Sequence, residues 1–157
     1  MINFNPSASS SSTPYVGAND VTRDWSNVTT DQVASLTTTE LARASISQVQ
    51  GLSTGVVVLL ASPQIAALTP VQLNALTTAQ AAVLQANQLQ AIDDIKVGQI
   101  DALIKKMSGR QIATLTTSQV GNLSSVEVKS LTVDQILGLI SDQLNAINAD
   151  RFTAFMP

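Results

Sequence analysis

Apolar residues recur along this chain at spacings of three and five. Between Thr69 and Leu84 it reads TPVQLNAL TTAQAAVL, one eight-residue phrase written twice. With the eight positions labelled a to h, the phrase runs from about residue 29 to the C-terminus, provided the copy at 101–107 is one residue short. Position e is apolar in every copy, from Val33, Leu41 and Val49 to Ile136, Leu144 and Phe152. Position h is Leu, Ile, Met or Phe in every copy except at Ala44. Position d is Gln or Glu in twelve of sixteen copies, among them Gln32, Glu40, Gln64, Gln72, Gln111, Gln135 and Gln143. A fixed short period of this kind marks a repeat architecture.

Residues e and h are three apart, a helical spacing and not the alternation of a strand. Position a is Ser or Thr in ten copies, for example Thr69, Thr77, Thr116 and Thr132. Ser or Thr followed three residues later by Gln or Glu is a capping box, in which the hydroxyl accepts from the N3 amide and the Gln or Glu accepts from the N-cap amide. Pro70 at b fits the first helical position. Each octad therefore predicts a short helix over b to h that restarts at the next a. One uninterrupted helix is excluded by geometry. Eight residues advance about 800°, roughly 80° past two turns, so the e/h stripe would spiral away from any single buried face. On this reading Gln72 is a capping residue, and Gln72→Ala is expected to cost about 1 kcal/mol or less. One octad buries too little to stand alone, so the copies must stack. The fold class expected is all-α: a solenoid-like stack of short capped helices.

Three regions depart from the phrase. Residues 1–20, MINFNPSASSSSTPYVGAND, are Ser- and Asn-rich and read as a flexible arm. Residues 21–28 form a degenerate octad with Trp25 at e. Trp25 either covers the open end of the first coil or stands exposed as an aromatic anchor for a partner. From 85 to 107 neither Thr nor Pro interrupts the chain. Ile92, Ile95, Ile100, Leu103, Ile104 and Met107 suit one helical face, and Ser108-Gly109 reads as a stop. One longer central helix is expected there, joining halves at 29–84 and 108–157 within a single repeat domain, 21–157. GVVVLL at 55–60 reads as a buried helix despite its β-branched run.

Composition narrows function more than it names it. The chain of 157 residues has no Cys and no His, which removes thiol chemistry and the commonest general base and metal ligand. Charged residues are only 12% and the net charge is −3, so no basic patch favours nucleic acid. No apolar run is long enough to span a membrane. Asp93, Asp94 and Asp101 lack EF-hand spacing and read as a solvated helix face. Asp134, Asp142 and Asp150 share position c and suit the first turn of their helices. No nucleophile–base pair, metal cluster or phosphate loop is visible, so no enzyme and no cofactor is expected. The apolar face continues to Phe152 and Phe155 at e and h of the last copy. These rings are read as caps or as sticky ends that meet head to tail and build a filament. With Trp25 and with Tyr15 in the arm, they are the candidate interaction residues.

The phrase L-T-T-x-Q-[VI]-x-x-L, approximated at Thr29–Leu36, Thr77–Leu84, Thr116–Leu123 and Thr132–Leu139, resembles tandem repeats of large bacterial surface and secreted proteins. Such repeats are labelled adhesins, haem-utilisation proteins or secreted effectors. The Ser-rich start resembles the uncleaved signals of type III secretion substrates, and no cleavable Sec signal is read there. The resemblance implies a secreted or cell-surface location. The partners expected are further copies of the same chain, or alternatively a protein bound by a monomeric module. A haem role gains nothing from it, since neither His nor Cys is present to ligate iron.

Overall fold

The computed structural model describes residues 25–147. Among them the regular structure is entirely helical. Two 3₁₀ segments, Trp25–Asn27 and Thr30–Ser35, open the stack. Fourteen short α-helices follow: α1 Thr38–Arg43, α2 Ile46–Gly51, α3 Thr54–Leu59, α4 Ser62–Ala67, α5 Pro70–Ala75, α6 Thr78–Ala82, α7 Ala86–Gln90, α8 Asp94–Val97, α9 Asp101–Ile104, α10 Gly109–Thr114, α11 Thr117–Gly121, α12 Ser125–Ser130, α13 Val133–Gly138 and α14 Ser141–Ala146. The helices keep the octad register. Position a stays extended at the N-cap, as at Thr69 (φ −73°, ψ 160°), and h turns extended again, as at Leu76 (φ −51°, ψ 135°). Apart from Ile100, each h amide donates back to the e carbonyl and closes the last turn, as Leu76 does to Leu73 (3.3 Å).

The core is the e/h seam. Leu41, Val49, Val57, Ile65, Leu73, Ala81, Val97, Ile104, Ile112, Val120 and Val128 at e are fully buried, with Leu36, Leu68, Leu76 and Leu123 at h beside them. The octads coil into a stack with between three and four octads per turn. Backbones pack three octads on: α1 against α4, α2 against α5, α4 against α7, α10 against α13, α11 against α14. Side chains reach four octads on, as described below.

The region 85–107 corrects the expectation of one long helix: it holds three, α7, α8 and α9. The octad rhythm persists there without Thr. Asp93 takes the N-cap of α8, accepting from Ile95 N (2.9 Å). Ile100 breaks the next turn at φ −115°, ψ 40°. The reason is burial: Leu89, Val97 and Ile104 all reach the seam only because the chain re-aims between them. Ser108-Gly109 is likewise a start, not a stop. Ser108 caps α10, accepting from Gln111 N (3.2 Å). GVVVLL forms helix α3 as expected, with Val56 and Val57 buried and Leu59 exposed. The arm at 1–20 lies outside the described residues.

Glycine marks the closest approaches between turns. A Cβ on Gly109 would lie 2.4 Å from Asp134 O, and one on Gly138 would lie 2.4 Å from Gly109 O, so α10 and α13 meet backbone to backbone. At Gly55 the nearest atoms would be 3.8 Å away. Gly138→Ala should therefore force these turns apart and destabilise the chain by about 1–3 kcal/mol as overpacking does, read as a lower urea midpoint. Gly55→Ala should be neutral or stabilising by up to about 1 kcal/mol. Equal midpoints for the two variants would show that the α10–α13 approach does not constrain the fold.

Candidate functional site

Position d is the best-defined polar arrangement in the molecule. Gln72 is buried, yet every polar atom of its amide is satisfied. Its Oε1 accepts from Thr69 N (2.7 Å), which closes the cap of its own helix. Its Nε2 donates to Leu41 O (2.8 Å) and Ala44 O (2.7 Å), the e and h carbonyls four octads earlier. The same rung repeats. Gln64 donates to Val33 O and Leu36 O, Gln80 to Val49 O and Leu52 O, Gln88 to Val57 O and Leu60 O. Gln111, Gln119 and Gln135 continue it, and Gln143 reaches Ala113 O at f and Leu115 O at h. A primary amide offers one acceptor oxygen and two N–H donors, which matches one orphan N-cap amide, one orphan h carbonyl and the second lone pair of an e carbonyl that already accepts from the h amide.

A second set of bonds runs three octads on, along the rim. Amides at f donate to carbonyls at g: Gln50 to Ala75 (2.8 Å), Asn74 to Gln99 (2.9 Å), Gln90 to Thr114 (2.8 Å). Positions b and c also meet, as Ser62 Oγ donates to Asn87 O (3.1 Å) and Gly109 N to Asp134 Oδ2 (3.0 Å). Asp134 thus holds a neighbouring turn as well as sitting in its own first turn. Asp142 shares its position, and Asp150 lies outside the described residues.

Three rungs differ in chemistry. Lys96 stands at d and its ammonium donates to Ala66 O and Leu68 O. In the shortened copy Leu103 occupies d and is buried. Lys106, at g, donates in its place to Asn74 O (2.8 Å) and Leu76 O (2.6 Å). Lys105 pairs with Asp101 (2.7 Å) on the surface. Glu127 reverses the polarity of its rung. Its Oε2 accepts from Ser124 N (2.7 Å) and its Oε1 from Ile100 N (2.9 Å). That amide is available because Gln99 N takes the helix-closing bond, to Lys96 O. Burial pushes the Glu127 carboxyl above its ordinary value of 4.5, against the hydrogen bonds from Ser124 and Ile100, and nearby Asp101 adds to the rise.

The predicted interaction residues separate. Trp25 is 4% exposed and joins the core, where the 3₁₀ segment it opens packs on α2. It is not an exposed anchor. Tyr15, Phe152 and Phe155 lie outside the described residues. Apolar exposure appears elsewhere, mostly at positions the sequence reading passed over; Ile95, expected on an apolar helical face, is instead exposed. Val133, Leu137 and Ile140 are 73%, 79% and 57% exposed, and Val71, Ile95 and Val126 stand out at position c. The inter-turn role of d was missed too, although a signal existed. Gln64, Gln88 and Gln143 hold d where a is Ala61, Gln85 or Ile140, so no hydroxyl is present to complete a capping box. Among the described residues no group of three or more acidic side chains could hold a metal ion, and no helix is long and apolar enough to cross a membrane. Comparison of the chain with family models, curated proteins and solved structures gave no match.

Two measurements check this arrangement. Gln72→Ala should cost about 2–4 kcal/mol in chemical unfolding, because it strips partners from buried backbone groups as well as from a cap. Thr69→Ala should cost about 1 kcal/mol. A Gln72 variant no worse than the Thr69 variant would show that the bonds between turns contribute little. For Glu127 the folded chain holds a raised pKa, so its contribution is fully present below about 4.5 and is lost as pH rises through the raised value. The stability difference between the natural chain and Glu127→Ala should therefore change across that window, with the natural chain gaining on acidification.

Proposed function

We propose that the chain is a non-enzymatic, exported bacterial assembly protein whose stacked octads associate with further copies of the chain into a filament or surface assembly. The observation that carries this reading is the apolar surface of α13, with Ile140 just beyond it. Leu137 stands at f and Val133 at b. Elsewhere in the stack those positions lie against the turn three octads on, as Gln50, Asn74 and Ser62 do. Exposed at positions that elsewhere lie against another turn, they form an apolar face that suits a turn of a second copy, and a contact of this head-to-tail kind propagates. The absence of His and Cys from the chain leaves few groups for catalysis. Export rests on low charge, polar composition and the resemblance of the repeat.

A second reading, a monomeric secreted effector or adhesin module that docks a protein along its side, is favoured by Val71, Ile95 and Val126. All three are exposed at position c, on α5, α8 and α12. Exposed apolar groups in such sets mark interaction surfaces.

Sedimentation velocity over a wide concentration range, with electron microscopy of the same samples, separates the two. The natural chain should form larger species as concentration rises, Leu137→Asp should remain monomeric with an unchanged melting temperature, and Ile95→Asp should assemble normally. A strict monomer at high concentration would overturn the assembly reading and leave the docking module.

A further inference from the structure

Regular rungs of this stack are interchangeable. Any Gln at d fits the e and h carbonyls of any regular octad, and the seam is aliphatic throughout. Looping out one octad, or drawing one in, would preserve most side-chain chemistry while changing which turns meet. Something must distinguish the alignment with 31 and 28 residues between rung partners from its neighbours.

The Glu127 rung is able to do so. Its carboxylate has no donor, so it needs an N–H where every regular rung needs a carbonyl. Octad 93–100 supplies one, Ile100 N, since its closing turn uses Gln99 N instead. One octad earlier, Glu127 would face Leu89 O and Ile92 O, which accept from Gln119. One octad later it would face Ile104 O and Met107 O, which accept from Gln135. In both places a buried carboxylate would meet carbonyl oxygens. The converse holds for a Gln brought opposite Ile100: with Oε1 on its own cap amide, its Nε2 would point at an N–H.

We propose that the Glu127–Ile100 contact is a register key, a rung of reversed polarity that fits one octad of the stack and so fixes the alignment of its neighbours. Its logic is that of a buried polar side chain that sets register in a coiled coil at some cost in stability. The raised carboxyl pKa is consistent with such a cost.

The chain has no Cys, so engineered pairs report alignment directly. Asp94 and Ser118 share a hydrogen bond between their side chains across adjacent turns. Asp94→Cys with Ser118→Cys reads the natural register. Asp94→Cys with Val126→Cys, or with Arg110→Cys, reads a shift of one octad either way. Each pair is refolded, oxidised and quantified by mass spectrometry. With Glu127 present only the first pair should close. With Glu127→Gln the shifted pairs should rise at least several-fold, while Gln135→Ala, which removes a regular rung, should lower the melting temperature and keep the natural pattern. If Glu127→Gln leaves the pattern natural, the proposal is overturned. Should that variant not fold, Gln119→Glu decides. It sets a second carboxylate one octad earlier to compete for Ile100 N, and the Asp94–Arg110 pair should then close. Its failure to close would equally overturn the key.

Discussion

Everything in this fold depends on one side-chain amide reaching from the start of its own helix to the end of another. A six-residue helix makes hardly any internal hydrogen bonds, because the first four N–H groups and last four carbonyls of any helix are orphans. Cutting a chain into such pieces and burying them would ordinarily leave many backbone groups unpaired, each at a cost of about 1–3 kcal/mol. The Gln at d pairs an orphan cap amide and an orphan h carbonyl at once, and adds a second bond to the e carbonyl beside it. Hydrophobic burial at e and h pulls the turns together, but it is non-directional. The amide adds the direction, tying the start of one helix to the end of another.

That constraint explains the rest of the octad. Small residues or amides occupy f in most octads because f lies against a carbonyl of the turn three octads on, where Gly98 leaves no room even for a methyl group beside Asn122 O. It also explains why Lys is tolerated in a ladder of Gln. The ammonium of Lys96 or Lys106 has donors for the carbonyls of the earlier turn but no acceptor for a cap. Lys96 accordingly shares its octad with Asp93, which caps the helix from position a. The shortened copy shows the same economy. Its d position is Leu103, and a longer side chain from g recovers both carbonyls.

Much of this was legible in the residues. The period, the caps and the e/h seam follow from spacing and residue type alone. What was not legible is anything that joins residues about thirty apart. A Gln after Thr satisfies the capping rule by itself, so nothing local demanded a second role. The central region misled for a related reason. Between Gln85 and Met107 the loss of Thr looked like the loss of a break, whereas the breaks there are imposed by the need of Leu89, Val97 and Ile104 to share one seam. Trp25 could be read either as core or as anchor because a single aromatic at e carries no information about what lies over it.

The same constraint limits where function can reside. Positions d, e and h are committed to the stack, and b and f largely to the adjacent turn. Recognition is left to a, c and g along the sides, and to b and f wherever a turn lacks a neighbour. Most of the exposed large apolar residues obey this division: Val71, Ile95 and Val126 at c, Leu59 at g, Ile140 at a, Val133 at b and Leu137 at f; Ile46, at b of α2 beside α5, is the exception, and none lies at d, e or h. Substitution at c therefore changes what the surface presents without touching a rung, whereas substitution at d removes bonds between turns. A repeat built this way can acquire new partners by drift at c while its architecture is held by the amides, which is how a single octad phrase can serve many surfaces.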